Sequence, residues 1–222
     1  MLINADFTRP AMVGPDEYEW VASPQAGVER VMLHRVGEEK ARATSIVRYA
    51  PNSFFPRHQH PEGEEIFVMS GTFSDEEGDY PAGWYVRNPP GSSHKPSSQD
   101  GATIFVKLRQ MTAEESHPVR IDTRDPSSWQ FVDGQEVCPL YSSDKEQVCL
   151  QRVAPGASLA GDLAAGAELL VIDGTVVAYG QSYSRGGWIR LPPGTYPGIV
   201  AGAEGATFYL KTGHLAHAVP EK

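Results

Sequence analysis

His58 and His60 stand one residue apart in the stretch HQHPEGEE, Glu64 follows four residues later, and His94 lies thirty residues past Glu64, just after the turn PPGSS. Side chains two apart on a strand point to the same face. Pro61 and Gly63 supply a tight turn, so Glu64 is expected to open the next antiparallel strand beside His60. A second hairpin folded over the first would bring His94 to the same mouth. Three imidazoles and one carboxylate can hold a divalent transition ion and leave one or two coordination positions open. An H-x-H pair alone is commonly exposed or structural; Glu64 and His94 at these spacings favour a metal set of His58, His60, Glu64 and His94.

The neighbouring polar residues read differently. Glu65 has the opposite strand parity and is expected to point away from the ion, and Glu62 sits in the turn, open to solvent. The stretch SDEEGD (74–79) reads as a solvated acidic hairpin tip, with a calcium site as the alternative. His34 has the alternation to face the same cavity, or it is a satisfied or exposed histidine. His117, His214 and His217 fall in a linker and a tail and receive no role.

The elements that must carry these residues are short strands. Glycine (22) and proline (18) are scattered between apolar runs such as RATSIVRYAP, EEIFVMSG, GWYVRNPPG and GATIFVKL, which read as strands bounded by turns. Helical periodicity is scarce, with TAEES (112–116) as one candidate turn. Many short strands with regular turn signals predict an all-β sandwich or barrel.

The pattern occurs twice. YPAGWYVRNPPG (80–91) returns as YSRGGWIRLPPG (183–194) at an offset of 103, and EIFVMSG (65–71) returns as ELLVIDG (168–174). VRYAP (47–51) matches QRVAP (151–155), and GATIFVK (101–107) matches GATFYLK (205–211). Four matches in one order predict two copies of one β domain, residues 1–112 and 113–222, joined through the polar stretch 110–128. In the second copy Gly161, Leu163, Ala167 and Pro197 stand where the first has His58, His60, Glu64 and His94. A shift of one residue puts Asp162 and Ala164 in place of the histidines. Neither register restores a ligand set, so one ion per chain is expected. The second domain is expected to act as a built-in partner, imitating the two-fold contact of single-domain relatives.

These motifs resemble the cupin family. Its first motif, G-x5-H-x-H-x3/4-E-x6-G, is met by His58, His60, Glu64 and Gly71, with Asn52 in place of the leading glycine. Its second, G-x5-P-x-G-x2-H-x3-N, is met by Gly83, Pro89, Gly91 and His94, with Ser98 where asparagine is usual. Within the family the stretch from His58 to Ser98 resembles the cupin domain of ChrR anti-sigma factors, a branch that includes dihydroxyacetophenone-type dioxygenases. The resemblance implies two tandem cupin barrels of the jelly-roll type and one divalent metal ion, zinc before iron, manganese or nickel. It also implies a regulatory role in the response to singlet oxygen, with an ECF sigma factor or a small-molecule ligand as partner. In ChrR proteins a separate module with His and Cys ligands, including a C-x2-C pair, grips the sigma factor. This chain has no cysteine before Cys138, so the resemblance covers the sensing half. The alternative is a metal-dependent dioxygenase acting on a small diketone or hydroxyketone, with the ion as Lewis acid and Glu64 as a base when released from it. The assembly is expected to be a monomer or homodimer.

Bulk properties exclude other classes. A formal charge of −9 argues against broad nucleic-acid binding, which needs a cationic face. No apolar run reaches a membrane span, and the start MLINADFTRP has no signal-peptide pattern, so a cytoplasmic location is expected. Cys138 and Cys149 read as reduced core thiols, with a pairing across a hairpin as the alternative.

Overall fold

A computed structural model of the chain describes residues 1–38, 40–132, 134–159 and 163–217. The elements are antiparallel strands, with short 3-10 turns at Pro15–Glu17, Pro126–Ser128 and His214–His217. The chain divides into two compact units, residues 1–5 with 19–125 and residues 6–18 with 126–222. A single cut between 112 and 113 therefore differs from the packing at two places. Val119–Asp122 pairs back onto Trp84–Asn88 in the first unit, and Ala11–Val13 pairs with Trp188–Leu191 in the second. Each short strand covers a sheet edge that would otherwise present unpaired backbone groups.

In the first unit the main sheet runs Leu2–Ile3, Val28–Val36, Arg42–Tyr49, Ala102–Leu108, Glu64–Asp75, Trp84–Asn88 and Val119–Asp122. His58–His60 and Ser92–His94 form a separate two-stranded antiparallel sheet. Ile66, Val68, Phe73, Val86, Ile104 and Val106 meet in one apolar core. The run EEIFV does not alternate polar with apolar because both faces of its strand are buried, as in sheets covered on both sides. Ile66 and Val68 belong to the core just described. Glu65, of opposite parity, pairs with Arg87 at 2.9 Å.

The second unit repeats this plan in the order Gln130–Val132, Gln135–Ser142, Gln147–Val153, Val200–Thr212, Ala167–Ala178, Trp188–Leu191 and Ala11–Val13. Its long strand Ala167–Ala178 matches Glu64–Asp75 residue for residue at the sequence offset of 103. The backbone repeats as well. Gly71 and Gly174 both have φ of 69°, and a Cβ on either would run into the carbonyl oxygen of Gly101 or Gly205 respectively. Glycine is required at both because the left-handed backbone and the close approach leave no room for a side chain. Asn52, in the place of a glycine in the first motif, also has positive φ, 58°, a conformation asparagine tolerates better than most residues.

Candidate metal centre

The histidines are set by one antiparallel pair. His94 lies opposite His58, and Ser92 lies opposite His60. The three rings therefore crowd together, with centroids 4.8 Å apart for His58–His60, 5.1 Å for His58–His94 and 4.6 Å for His60–His94. The turn that delivers Glu64 is closed by the Gly63 amide donating to the His60 carbonyl at 3.2 Å. Glu64 Oε2 lies 3.6 Å from His60 Nε2 and 3.3 Å from His94 Nε2. One ligand atom from each of His58, His60, Glu64 and His94 lies within 4.8 Å of the others. Opposite ligands on one ion with bonds of about 2.1 Å are about 4.2 Å apart, so small side-chain rotations would bring the set onto a single ion.

The rest of each ring is held from behind. His58 Nδ1 lies 2.9 Å from the Pro56 carbonyl, His60 Nδ1 3.4 Å from Ser92 Oγ, and His94 Nδ1 3.1 Å from Asp75 Oδ2. This occupies Nδ1 and directs Nε2 inward, the arrangement that fixes tautomer and orientation in metal-binding histidines. His60 Nε2 and His94 Nε2 are buried without a hydrogen-bond partner, a costly state for polar atoms in a protein interior. A cation at the centre of the cluster would satisfy both. On the fourth ligand, Asn88 Nδ2 donates to Glu64 Oε2 at 3.1 Å, and Asn88 Oδ1 accepts from Arg120 at 2.7 Å. The donor set and its supports thus fit a divalent ion.

Electrostatics separate the two buried histidines. Burial lowers the His60 pKa, and its two histidine neighbours act the same way against the attraction of Glu64. At His94 burial also opposes protonation, but the Asp75 hydrogen bond and the charges of Glu64 and Asp75 outweigh it, so the pKa rises. Asp75 is held below its ordinary value: burial works upward, and the His94 contact and the Glu77 amide overcome it.

Some expectations for the neighbouring polar residues hold and others change with the geometry. The tip SDEEGD is not a simple solvated turn. Asp75 is a buried support of His94, its side chain 1% exposed. Glu76 pairs with Arg57 and accepts the Lys95 amide at 3.0 Å, and Glu77 pairs with Arg120 at 2.7 Å. His34 is buried, but it is not among the residues lining the cavity beside the ligands. The register slips between Met32 and His34, and this bulge exchanges parity so that Arg35 lines the cavity. Glu65 points away from the ligands to Arg87, and Glu62 is exposed and pairs with Arg109 at 3.2 Å. His117 contacts Ser116, and His214 is buried 3.1 Å from Glu168. Cys138 and Cys149 are not joined in a disulfide, and burial pushes the Cys138 thiol up to about 11. No helix among the described residues is long and apolar enough to cross a membrane.

Beside the ligands lies a cavity of about 270 Å³. His58, His60 and Glu64 line it together with Arg30, Arg35, Tyr49, Phe55 and Phe73. Burial, with the nearby Glu64 charge, raises the Tyr49 pKa, so its hydroxyl stays protonated.

The second unit lacks the candidate ligands that can be matched. Gly161 and Asp162 lie outside the described residues. Leu163 and Ala167, at the positions of His60 and Glu64, belong to an apolar core with Leu169, Leu191 and Phe208, and Pro197 is exposed. The supports are replaced too: at the offset of 103, Ala178 stands for Asp75 and Leu191 for Asn88, both fully buried.

Residues 8–112 match the family described as the ChrR cupin-like domain. No curated protein matches the chain in sequence. Among solved structures, a candidate dioxygenase from Nostoc punctiforme is 14% identical, with 95% of this chain and 81% of that one covered and a TM-score of 0.67. The pirin YhhW of Escherichia coli, solved with nickel(II), is 12% identical over 92% of this chain and 98% of that one, with a TM-score of 0.65. Oxalate decarboxylase of Bacillus subtilis, a protein with Mn(II) centres, is 13% identical over 91% of this chain and 77% of that one, with a TM-score of 0.59. At these identities the likeness shows the shared fold.

Proposed function

We propose, for a chain that belongs to the cupins through its ChrR cupin-like domain, that the first barrel binds one divalent metal ion and recognises a small molecule beside it. The observation that carries this reading is the pair of buried Nε2 atoms on His60 and His94 that have no hydrogen-bond partner and face the Glu64 carboxylate, turned inward by ring contacts at Nδ1. A bound ion would supply Lewis acidity, and iron would add a site for O2. His58, His60, Glu64 and His94 hold the ion; Asp75, Ser92 and Asn88 orient three of the four. The donors suit zinc, iron, manganese and nickel alike, and supply often decides among such ions. Zinc is the ion that the ChrR resemblance favours.

The ChrR match supports a regulatory use, in which an oxidant or its product binds at the open coordination position and shifts the barrel between two packings. Such a switch requires different affinities for the two states. The cavity favours a second reading as an oxygenase, because it places space for a small organic molecule against three of the four ligands. Metal analysis combined with oxygen uptake separates them. Stoichiometric zinc with no O2 consumption on a diketone panel supports the regulator, and iron with substrate-dependent O2 uptake supports the enzyme. Protein purified without an affinity tag that holds no ion after supply of all four metals would refute both.

A further inference from the structure

Most arginines of the first barrel have a carboxylate. Arg48 pairs with Glu29, Arg57 with Glu76, Arg87 with Glu65, Arg109 with Glu62 and Arg120 with Glu77. Arg30 and Arg35 have none within ion-pairing distance among the described residues, and both line the cavity beside the metal ligands. Arg30 Nε is buried without a hydrogen-bond partner, and Arg35 donates to the Glu38 backbone carbonyl. Burial and the neighbouring Arg30 charge lower the pKa of Arg35 against the attraction of Glu38. Two positive charges thus line the cavity with no carboxylate of the described residues at ion-pairing distance, an arrangement that an anionic ligand would offset.

We propose that the cavity takes a small organic carboxylate, its head on Arg30 and Arg35 and its body toward His58, His60 and Glu64. The guanidinium fork matches a planar carboxylate with two parallel hydrogen bonds. The apolar side chains Val47, Phe55, Ile104 and Val106 in the same wall suit a carbon skeleton better than a bare inorganic anion. The volume of about 270 Å³ lies just below the usual range for drug-sized ligands, which limits the body to a small metabolite. This deepens the metal reading and rests on it for the far end of the ligand, since a divalent ion on three neutral imidazoles and one carboxylate adds a net charge near +1 to the same cavity.

The test is calorimetric titration of pentanoate, succinate and benzoate, each against its amide and against inorganic phosphate, with the full metal-loaded chain. At least one carboxylate should bind about tenfold or more tighter than its amide and than phosphate. Arg30→Gln and Arg35→Gln should each lose that preference while retaining the wild-type metal content and melting temperature. Arg30→Lys and Arg35→Lys, which keep the charge and remove the fork, should lose part of it and serve where the glutamine variants do not fold. Equal binding of every acid and its amide, or preference for phosphate over all the acids, would overturn the inference. Because metal content is measured on the same samples, a metal-free chain would count against the metal reading, whereas a metal-loaded chain indifferent to carboxylates would count against this one alone.

Discussion

Asp75→Ala tests the support behind the candidate metal ligands. The Asp75 carboxylate is 1% exposed and sits 3.1 Å from His94 Nδ1, so its removal leaves a buried N–H with no acceptor. Losing the partner of a buried donor costs about 1–3 kcal/mol. Removing an outer support of a metal-binding histidine typically weakens metal affinity about 10–100-fold, which is about 1.4–2.7 kcal/mol. The two estimates agree, and the variant is expected to bind zinc or cobalt 10–100-fold more weakly in competition with a chromophoric chelator at neutral pH. The effect must pass through His94. In a double-mutant cycle with His94→Ala, the Asp75 substitution should then cost almost nothing further in affinity, leaving a coupling of about the full single-mutant loss. Additive losses in a folded double variant, or an unchanged affinity in Asp75→Ala, would refute the assignment of Asp75 as the orienting group.

Other predictions follow from the same geometry. In the metal-free chain the raised His94 pKa contributes stability below the ordinary histidine value of 6.5, lost as pH rises through the folded value. The lowered Asp75 pKa contributes stability above the ordinary value of 3.8, lost as pH falls through its folded value. The melting-temperature difference between metal-free wild type and Asp75→Ala should therefore be largest between these limits and shrink on both sides; a difference independent of pH would contradict this. Ala167→Glu restores a carboxylate at the Glu64 position of the second barrel, among Leu163, Leu169 and Leu191. It should gain no metal and destabilise that unit by several kcal/mol, as a buried unpaired charge does, with denaturant titration and metal analysis as the readouts. Gly71→Ala and Gly174→Ala should each cost more than about 1 kcal/mol, because both sites combine positive φ with a blocked Cβ position; a neutral result at either would place the glycine elsewhere in the turn.

The strands and the clustering of His58, His60, Glu64 and His94 were legible because both leave local marks. Glycine and proline punctuate the strands, and H-x-H with Glu64 and His94 has the spacing of a hairpin and its neighbour. Asp75 was hidden by its surroundings. A carboxylate in SDEEGD looks like part of a solvated tip until Glu64–Asp75 is seen to carry it inward beside His94. Asn88 was hidden because its role depends on pairing opposite Glu64. Comparing the copies would have exposed both, since polar Asp75 and Asn88 become Ala178 and Leu191 in the copy that lacks ligands. His34 stays off the cavity because simple alternation fails across a bulge, and the pairing of Ala11–Val13 with Trp188–Leu191 joins segments too distant for any local pattern to announce.

Metal stoichiometry per chain in the wild type and in His94→Ala, measured by elemental mass spectrometry on folded, tag-free protein, tests the central claim most directly. The geometry predicts one ion per wild-type chain and almost none in the variant, with the second barrel empty in both. An ion-free wild type, or a variant that keeps the wild-type metal content, would contradict the assignment.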